Sequence, residues 1–111
     1  MVDTRLNNYL ERDLESLYLE LGKKIIRNEG ILFEMKSESP YIKKAKNFLE
    51  GNLEDIRDIV CQYYDKNRND IDDLDKIIAV LTTKFGFDTT FYYVLVSILI
   101  KRGLQNICNV N

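Results

Sequence analysis

The stretch that decides the fold is DTTFYYVLVSILIKRG, which runs from Asp88 to Gly103. It is apolar almost without interruption over 91–100, so a helix formed here is apolar on nearly every face. Such a helix is stable when other elements cover it on all sides. Asp88 is a favourable N-cap, and the cations Lys101 and Arg102 before Gly103 mark a favourable helix end. The β-branched residues would also suit a buried strand, but these end signals favour the helix.

This apolar run is too short to cross a bilayer. It covers ten residues, from Phe91 to Ile100, whereas a transmembrane helix needs about 20. The first residues lead into charged sequence without the apolar core of a signal peptide. We therefore expect a cytoplasmic protein with no membrane segment, in a compartment where thiols stay reduced.

The N-terminal part of the chain predicts one long amphipathic helix over residues 4–28. Leucine or isoleucine recurs along it every three or four residues, which places these side chains on one helical face. They are Leu6, Leu10, Leu14, Leu17, Leu21 and Ile25. The middle of the series has the spacing of a short coiled-coil seam. Two heptads are too few to identify a coiled coil, and a homodimer through this helix is one candidate arrangement. Leu19 lies off the stripe and is a candidate contact for a partner.

Further helix boundaries follow from the single proline and the glycines. Ser39 and Pro40 predict a helix start, and Gly51 predicts the end of that helix. Asn52 is the predicted N-cap of the next helix. Residues 31–36 fit either a helical turn or an extended connector.

The remaining signals complete the predicted fold class. Asp70 or Asp72 is expected to cap a further helix, and a short last turn follows the apolar helix near 89–102. No repeat or linker divides the chain. We therefore expect a single all-α domain over residues 1–111, a compact bundle of five or six helices with the apolar helix buried inside it.

Composition removes most enzyme chemistry. The 111 residues include no histidine, which excludes serine–histidine and cysteine–histidine nucleophile pairs and nearly all zinc and iron sites. No glycine-rich phosphate loop of the GxxxxGKS or GxGxxG kind occurs. We therefore expect no catalytic residues and no cofactor.

A cluster of aspartates begins at Asp65. The pattern Asp65-x-Asn67-x-Asn69 is like the start of an EF-hand calcium loop, but the twelfth position of that loop would be Lys76, which cannot ligate calcium. A polar turn is therefore favoured over a metal site, and a calcium-regulated switch is the weaker alternative. The aspartates also offer an acidic docking patch for a basic protein. The candidates are Asp70, Asp72, Asp73 and Asp75.

Adjacent tyrosines are a second candidate contact feature. The pairs Tyr63–Tyr64 and Tyr92–Tyr93 point about 100° apart on a helix, so one member of each pair is expected to stay partly exposed. Tyrosine is enriched at protein interfaces. Tyr63, Tyr64 and Tyr92 are therefore candidate partner contacts.

Two groups of basic residues offer an alternative function. The first comprises Lys36, Lys43, Lys44 and Lys46, with Tyr41 among them, and the second comprises Lys23, Lys24 and Arg27. Cations interleaved with tyrosine can follow a nucleic-acid backbone. The net charge of −2 weighs against general nucleic-acid binding.

The two cysteines are expected to be chemically quiet. Cys61 lies on the apolar side of its predicted helix, where a buried, inert thiol is the usual state. Cys108 lies near the end of the sequence, where only an adventitious crosslink is expected.

The sequence favours binding over catalysis. We expect a non-enzymatic protein–protein interaction module: a small regulator, an inhibitor or immunity-type protein, or an assembly subunit, whose partner is another protein or a second copy. The alternative is a small nucleic-acid-binding protein that uses the basic region 36–46.

Overall fold

A computed structural model describes residues 4–28, 39–68 and 70–108 and confirms an all-α bundle. The described residues form six α-helices: α1 (Thr4–Leu10), α2 (Leu14–Asn28), α3 (Ser39–Val60), α4 (Leu74–Phe85), α5 (Thr89–Arg102) and α6 (Leu104–Cys108). A 3₁₀ turn, Cys61–Tyr63, leads from α3 into a small antiparallel hairpin of β1 (Tyr64–Asp65) and β2 (Asp70–Ile71). The sequence predicted the polar turn of this hairpin but not its strands. Residues 31–36 lie outside the described residues.

Helix α5 is the buried centre of the bundle, as the sequence predicts. Every residue from 91 to 99 is buried, and α5 packs against α1, α2, α4 and α6. The Asp88 carboxylate accepts the Phe91 N–H at 2.9 Å, and the helix ends at Gly103 with φ 101°. Inside the helix, the Ser97 hydroxyl donates to the Tyr93 carbonyl at 2.7 Å, which satisfies this buried polar group.

The predicted N-terminal helix is two helices, which corrects the prediction of one. The chain leaves α1 after Leu10, and α2 starts anew with Asp13 as its cap, whose carboxylate accepts the Ser16 N–H at 2.7 Å. The apolar spacing runs through the break, so periodicity alone missed it. The predicted seam also faces the chain's own core, because Leu17 and Leu21 are fully buried. The described structure therefore leaves those leucines no surface for a homodimer.

Helix α3 is continuous through Gly51, where the sequence predicts a helix end. Asn52 does not cap a new helix; its side-chain amide donates to the Phe48 carbonyl at 2.9 Å. Gly51 is exposed, and a glycine at such a position costs a helix only about 1 kcal/mol. The apolar stripe before and after it packs on the same core, and this packing outweighs the local signal.

The ends of α4 are set by Asp73 and Gly86. Asp73, rather than Asp70 or Asp72, is the N-cap, and its carboxylate accepts the Lys76 N–H at 3.2 Å. Asp70 and Asp72 belong to the hairpin and the turn that follows it. Gly86 ends the helix in the left-handed conformation at φ 81°, which glycine adopts without strain.

Cys61 and Cys108 form a disulfide, which corrects the expectation of two free thiols. Their Cα atoms lie 5.4 Å apart although 47 positions separate them in the sequence. The bond joins α6 to the 3₁₀ turn after α3. Cys61 is half-buried rather than buried. Among the described residues, no helix is long and apolar enough to span a bilayer.

Candidate functional site

The two basic groups of the sequence meet along the contact between α2 and α3. These helices run antiparallel, since Lys46 lies over the Tyr18 ring at 5.3 Å and Lys23 lies over the Tyr41 ring at 5.8 Å. The contact is close at Gly22, where an added Cβ would lie 1.9 Å from the Tyr41 carbonyl oxygen. Six cations therefore share one end of the helix pair. This basic region comprises Lys23, Lys24, Arg27, Lys43, Lys44 and Lys46.

The described helix segments that form the basic region carry no carboxylates of their own. No acidic residue occurs at 21–28 or 39–49, and Glu20 pairs instead with Arg12 at 3.0 Å. Of the predicted nucleic-acid contacts, Lys43 and Lys46 are exposed, whereas Lys44 and Tyr41 are half-buried. Lys36, the remaining member of that prediction, lies outside the described residues.

A small cavity of about 220 Å³ adjoins the basic region. Lys24 and Arg27 line one side, and Phe87, Asp88 and Phe91 line the other. The two phenylalanine rings are stacked with centroids 3.9 Å apart. The Asp88 carboxylate caps α5 and would repel an anion here, so the exposed lysines on α3 are the more favourable anion contacts.

Most aspartates of the predicted acidic patch make structural contacts in or next to the hairpin. The Asp65 carboxylate accepts hydrogen bonds from the Arg68 Nε–H at 2.8 Å and from the Asn67 N–H at 2.9 Å. These bonds hold the pKa of Asp65 below its usual value. Arg68 also pairs with Asp72. Asp70 accepts the Ile71 N–H at 2.8 Å. Among the described residues, no group of carboxylates and thiols is arranged to hold a metal ion.

Exposed acidic charge lies at the other end of α3 from the basic region. The second half of α3 carries exposed Glu50, Glu54, Asp55 and Asp58, and exposed Asp72 and Asp75 follow the hairpin. We call these six residues the acidic end. An α-helix rises about 1.5 Å per residue. On α3 the sign of the charge therefore changes between Lys46 and Glu50, about 6 Å apart along the axis, and Asp58 lies about 18 Å from Lys46.

The charges of α3 are little stabilised by its own dipole. Its first turn has no acidic residue, and Lys43 and Lys44 follow close behind, although anions are the charges that stabilise a helix N-terminus. The last turn carries both Arg57 and Asp58, whose opposite charges offset each other at the negative C-terminus. Helix stability therefore does not explain this charge pattern.

The tyrosine candidates fall into two groups. Tyr63 and Tyr64 are half-buried and pack against the core. Tyr92 is fully buried, and its hydroxyl accepts the Phe87 N–H at 3.1 Å. The expectation that one of Tyr92 and Tyr93 stays exposed is therefore wrong, because the whole circumference of α5 is covered. Leu19 is half-buried.

An exposed apolar surface on α4 was missed by the sequence reasoning. Val80 is 43% exposed, and Ala79, Val80, Thr83 and Lys84 line a shallow groove of about 470 Å³. Lys84 also lies 3.9 Å from Asp55, which connects the groove to the acidic end. The sequence does contain a signal for this surface, because Val80 lies off the apolar stripe of its helix, as Leu19 does in α2.

Comparison of the chain with protein-family models, curated proteins and solved structures finds no match.

Proposed function

We propose that this chain is a non-enzymatic protein–protein interaction module that acts as a small regulator, an inhibitor or immunity-type protein, or an assembly subunit. The observation that carries the proposal is the division of α3 into a basic first half and a predominantly acidic second half. Charged surfaces of this kind steer association and select partners of complementary charge. The helix dipole does not account for this charge pattern, which supports a role in recognition.

The acidic end is the surface that we assign to the partner. It adjoins the groove around Val80, and an exposed apolar side chain with charged neighbours has the composition of a small interface centre with a polar rim. The favoured partner is a protein segment that places an apolar side chain on Val80 and basic side chains near Glu54 and Asp58. Asp75, exposed in the first turn of α4, extends the same charge.

Affinity capture with a charge-reversed variant tests this assignment. Glu54→Lys combined with Asp58→Lys reverses exposed charges that have no structural hydrogen bond among the contacts described above. We expect the wild-type chain to capture a stoichiometric protein partner at low salt and this variant to lose it. The matched control is Lys43→Glu with Lys46→Glu at the far end of α3, which should keep the partner. Absence of a stoichiometric partner, or equal capture by both variants, would contradict the proposal.

Nucleic-acid binding is the second candidate, and the joining of two basic groups into one region favours it. Lysines alternate there with Tyr18 and Tyr41 across the α2–α3 contact. Fluorescence anisotropy with labelled single-stranded RNA and duplex DNA tests the idea, because phosphate contacts make affinity fall steeply with salt. Here Lys43→Glu with Lys46→Glu should abolish binding and Glu54→Lys with Asp58→Lys should keep it. No binding at low salt would exclude this function.

The cytoplasm is the proposed location, although the Cys61–Cys108 disulfide removes the free thiols from which a reducing compartment was expected. Disulfides in that compartment are usually transient and sense the redox state. The Cys61–Cys108 bond would therefore be exposed to exchange with cellular thiols.

A further inference from the structure

The disulfide fastens a short helix whose other tertiary contacts are with α5 and the core. Helix α6 is only five residues long, and isolated helices of this length are unstable in water. Its backbone contacts are local, since Asn106 and Ile107 both donate to the Gly103 carbonyl, at 3.1 and 3.3 Å. Of its side chains, Leu104 is buried and Ile107 is half-buried against the core. The Cys61–Cys108 bond is the covalent contact between α6 and the end of α3.

Both cysteines lie where a small thiol can reach them. Each is half-buried, and both line an open cavity of about 410 Å³ together with Arg57, Asp58 and Gln62. Access of the attacking thiolate is one of the factors that set the rate of thiol–disulfide exchange. The bond therefore differs from a structural disulfide sealed inside a core.

The core of the bundle does not include the disulfide. The buried apolar cluster is contributed mainly by α2, α3, α4 and α5, and neither cysteine belongs to it. Helix α6 adds Leu104 at its first position. Loss of the bond should therefore release α6 from residue 105 onward while the rest of the bundle stays folded.

We propose that Cys61 and Cys108 form a reversible redox switch that fastens and releases helix α6. A dithiol opens it: one thiolate attacks a sulfur of the pair and forms a mixed disulfide, and the second thiol displaces the remaining cysteine. The dithiol gives up two electrons and two protons and becomes a disulfide, and Cys61 and Cys108 become thiols. A small-molecule disulfide closes the switch by the reverse exchange and leaves as two thiols. This inference is independent of the proposed function.

Release of α6 changes one surface of the molecule. Ile107 loses its contact with the core, and the cavity beside Asp58 loses the wall that Cys108 provides. The change lies at the C-terminal end of α3 and leaves the basic region at its other end unaltered. The switch thus converts a redox change into exposure of an apolar side chain.

Amide hydrogen exchange on the full chain tests the switch. The oxidised protein is prepared with oxidised glutathione, and dithiothreitol is the reductant. We expect reduction to speed exchange of the Asn106, Ile107 and Cys108 amides by about tenfold or more, while amides in the centres of α2 and α5 stay protected. Removal of dithiothreitol and reoxidation should restore the protection.

Variants separate the switch from a general effect of the reductant. Cys108→Ser and Cys61→Ser should each show fast exchange at 106–108 in the absence of dithiothreitol and no response to it. Gln62→Ala, which alters the same cavity but keeps both cysteines, should behave as wild type. The proposal is overturned if alkylation under denaturing conditions finds two free thiols in the oxidised protein. It is equally overturned if reduction leaves the exchange at 106–108 unchanged or exposes α2 and α5 along with α6.

Discussion

At the scale of single residues, two glycines that both lie inside α-helices have opposite roles. Gly22 is buried at the α2–α3 contact, where a Cβ would meet the backbone of Tyr41 at 1.9 Å. We expect Gly22→Ala to destabilise the fold by about 1–3 kcal/mol or more, because two helix backbones must move apart. Urea unfolding followed by circular dichroism measures the change.

Gly51 provides the matched control. A Cβ there meets nothing within 4 Å, and the position is an exposed helix interior. Gly51→Ala should therefore stabilise the protein by about 0.5–1 kcal/mol. If the two substitutions shifted the urea midpoint in the same direction, the assignment of Gly22 to a close helix contact would be wrong.

The Asp65 carboxylate gives a prediction for pH. Hydrogen bonds from the Arg68 side chain and the Asn67 N–H hold the pKa of Asp65 below its usual value. Because the folded pKa is depressed, its contribution to stability is present above the unfolded value of about 3.9 and is lost as the pH falls through the folded pKa. A carbon-detected NMR titration of the carboxyl should show the low midpoint. Arg68→Ala should raise that midpoint, whereas Lys66→Ala should leave it in place.

At the scale of elements, the start of α5 depends on one cap. Asp88 accepts the Phe91 N–H at 2.9 Å, and removing such a cap costs about 0.5–2 kcal/mol. We therefore expect Asp88→Ala to lower the free energy of unfolding by that amount. Asp88→Asn should keep most of the stability, since asparagine is a comparable cap. Equal losses in the two variants would show that the negative charge, rather than the hydrogen bond, is what matters at this position.

The helices also show which boundaries local sequence signals predict and which they do not. The cap at Asp88 and the stop at Gly103 were readable in the sequence, because each acts within one helical turn. The break after Leu10 and the continuity through Gly51 were not. In both cases the apolar spacing looks the same before and after the position, and packing on the core decides the path of the chain.

At the scale of the whole molecule, the disulfide closes a loop that contains the hairpin, α4 and α5. In the chain-entropy model a crosslink over 47 positions stabilises the folded state by about 4 kcal/mol. We expect reduction to lower the free energy of unfolding by up to this amount. The reduced chain should therefore unfold at a lower urea concentration than the oxidised chain, while it remains folded in water. Urea titrations with and without dithiothreitol measure the difference, and Cys61→Ser should match the reduced wild type. Identical curves in both conditions would show that no bond constrains the unfolded chain.

The candidate site was only partly readable from the sequence. The acidic and basic residues were identified, but their arrangement at opposite ends of α3 needed the antiparallel contact of α2 with α3 and the continuity of α3. Tyr92 was a reasonable candidate by residue type and is excluded by burial. Val80 was the reverse case, an apolar residue that the fold leaves on the surface.

The sequence by itself determined the all-α class, the burial of α5, both ends of α5 and the start of α3. These features depend on the spacing of apolar residues and on capping groups within a few residues. Both can be seen in the sequence alone. The tertiary structure decided the pairing of Cys61 with Cys108, the union of the two basic groups and the close approach at Gly22. Each of these joins residues that are distant in sequence, and their meeting depends on how the helices pack around α5.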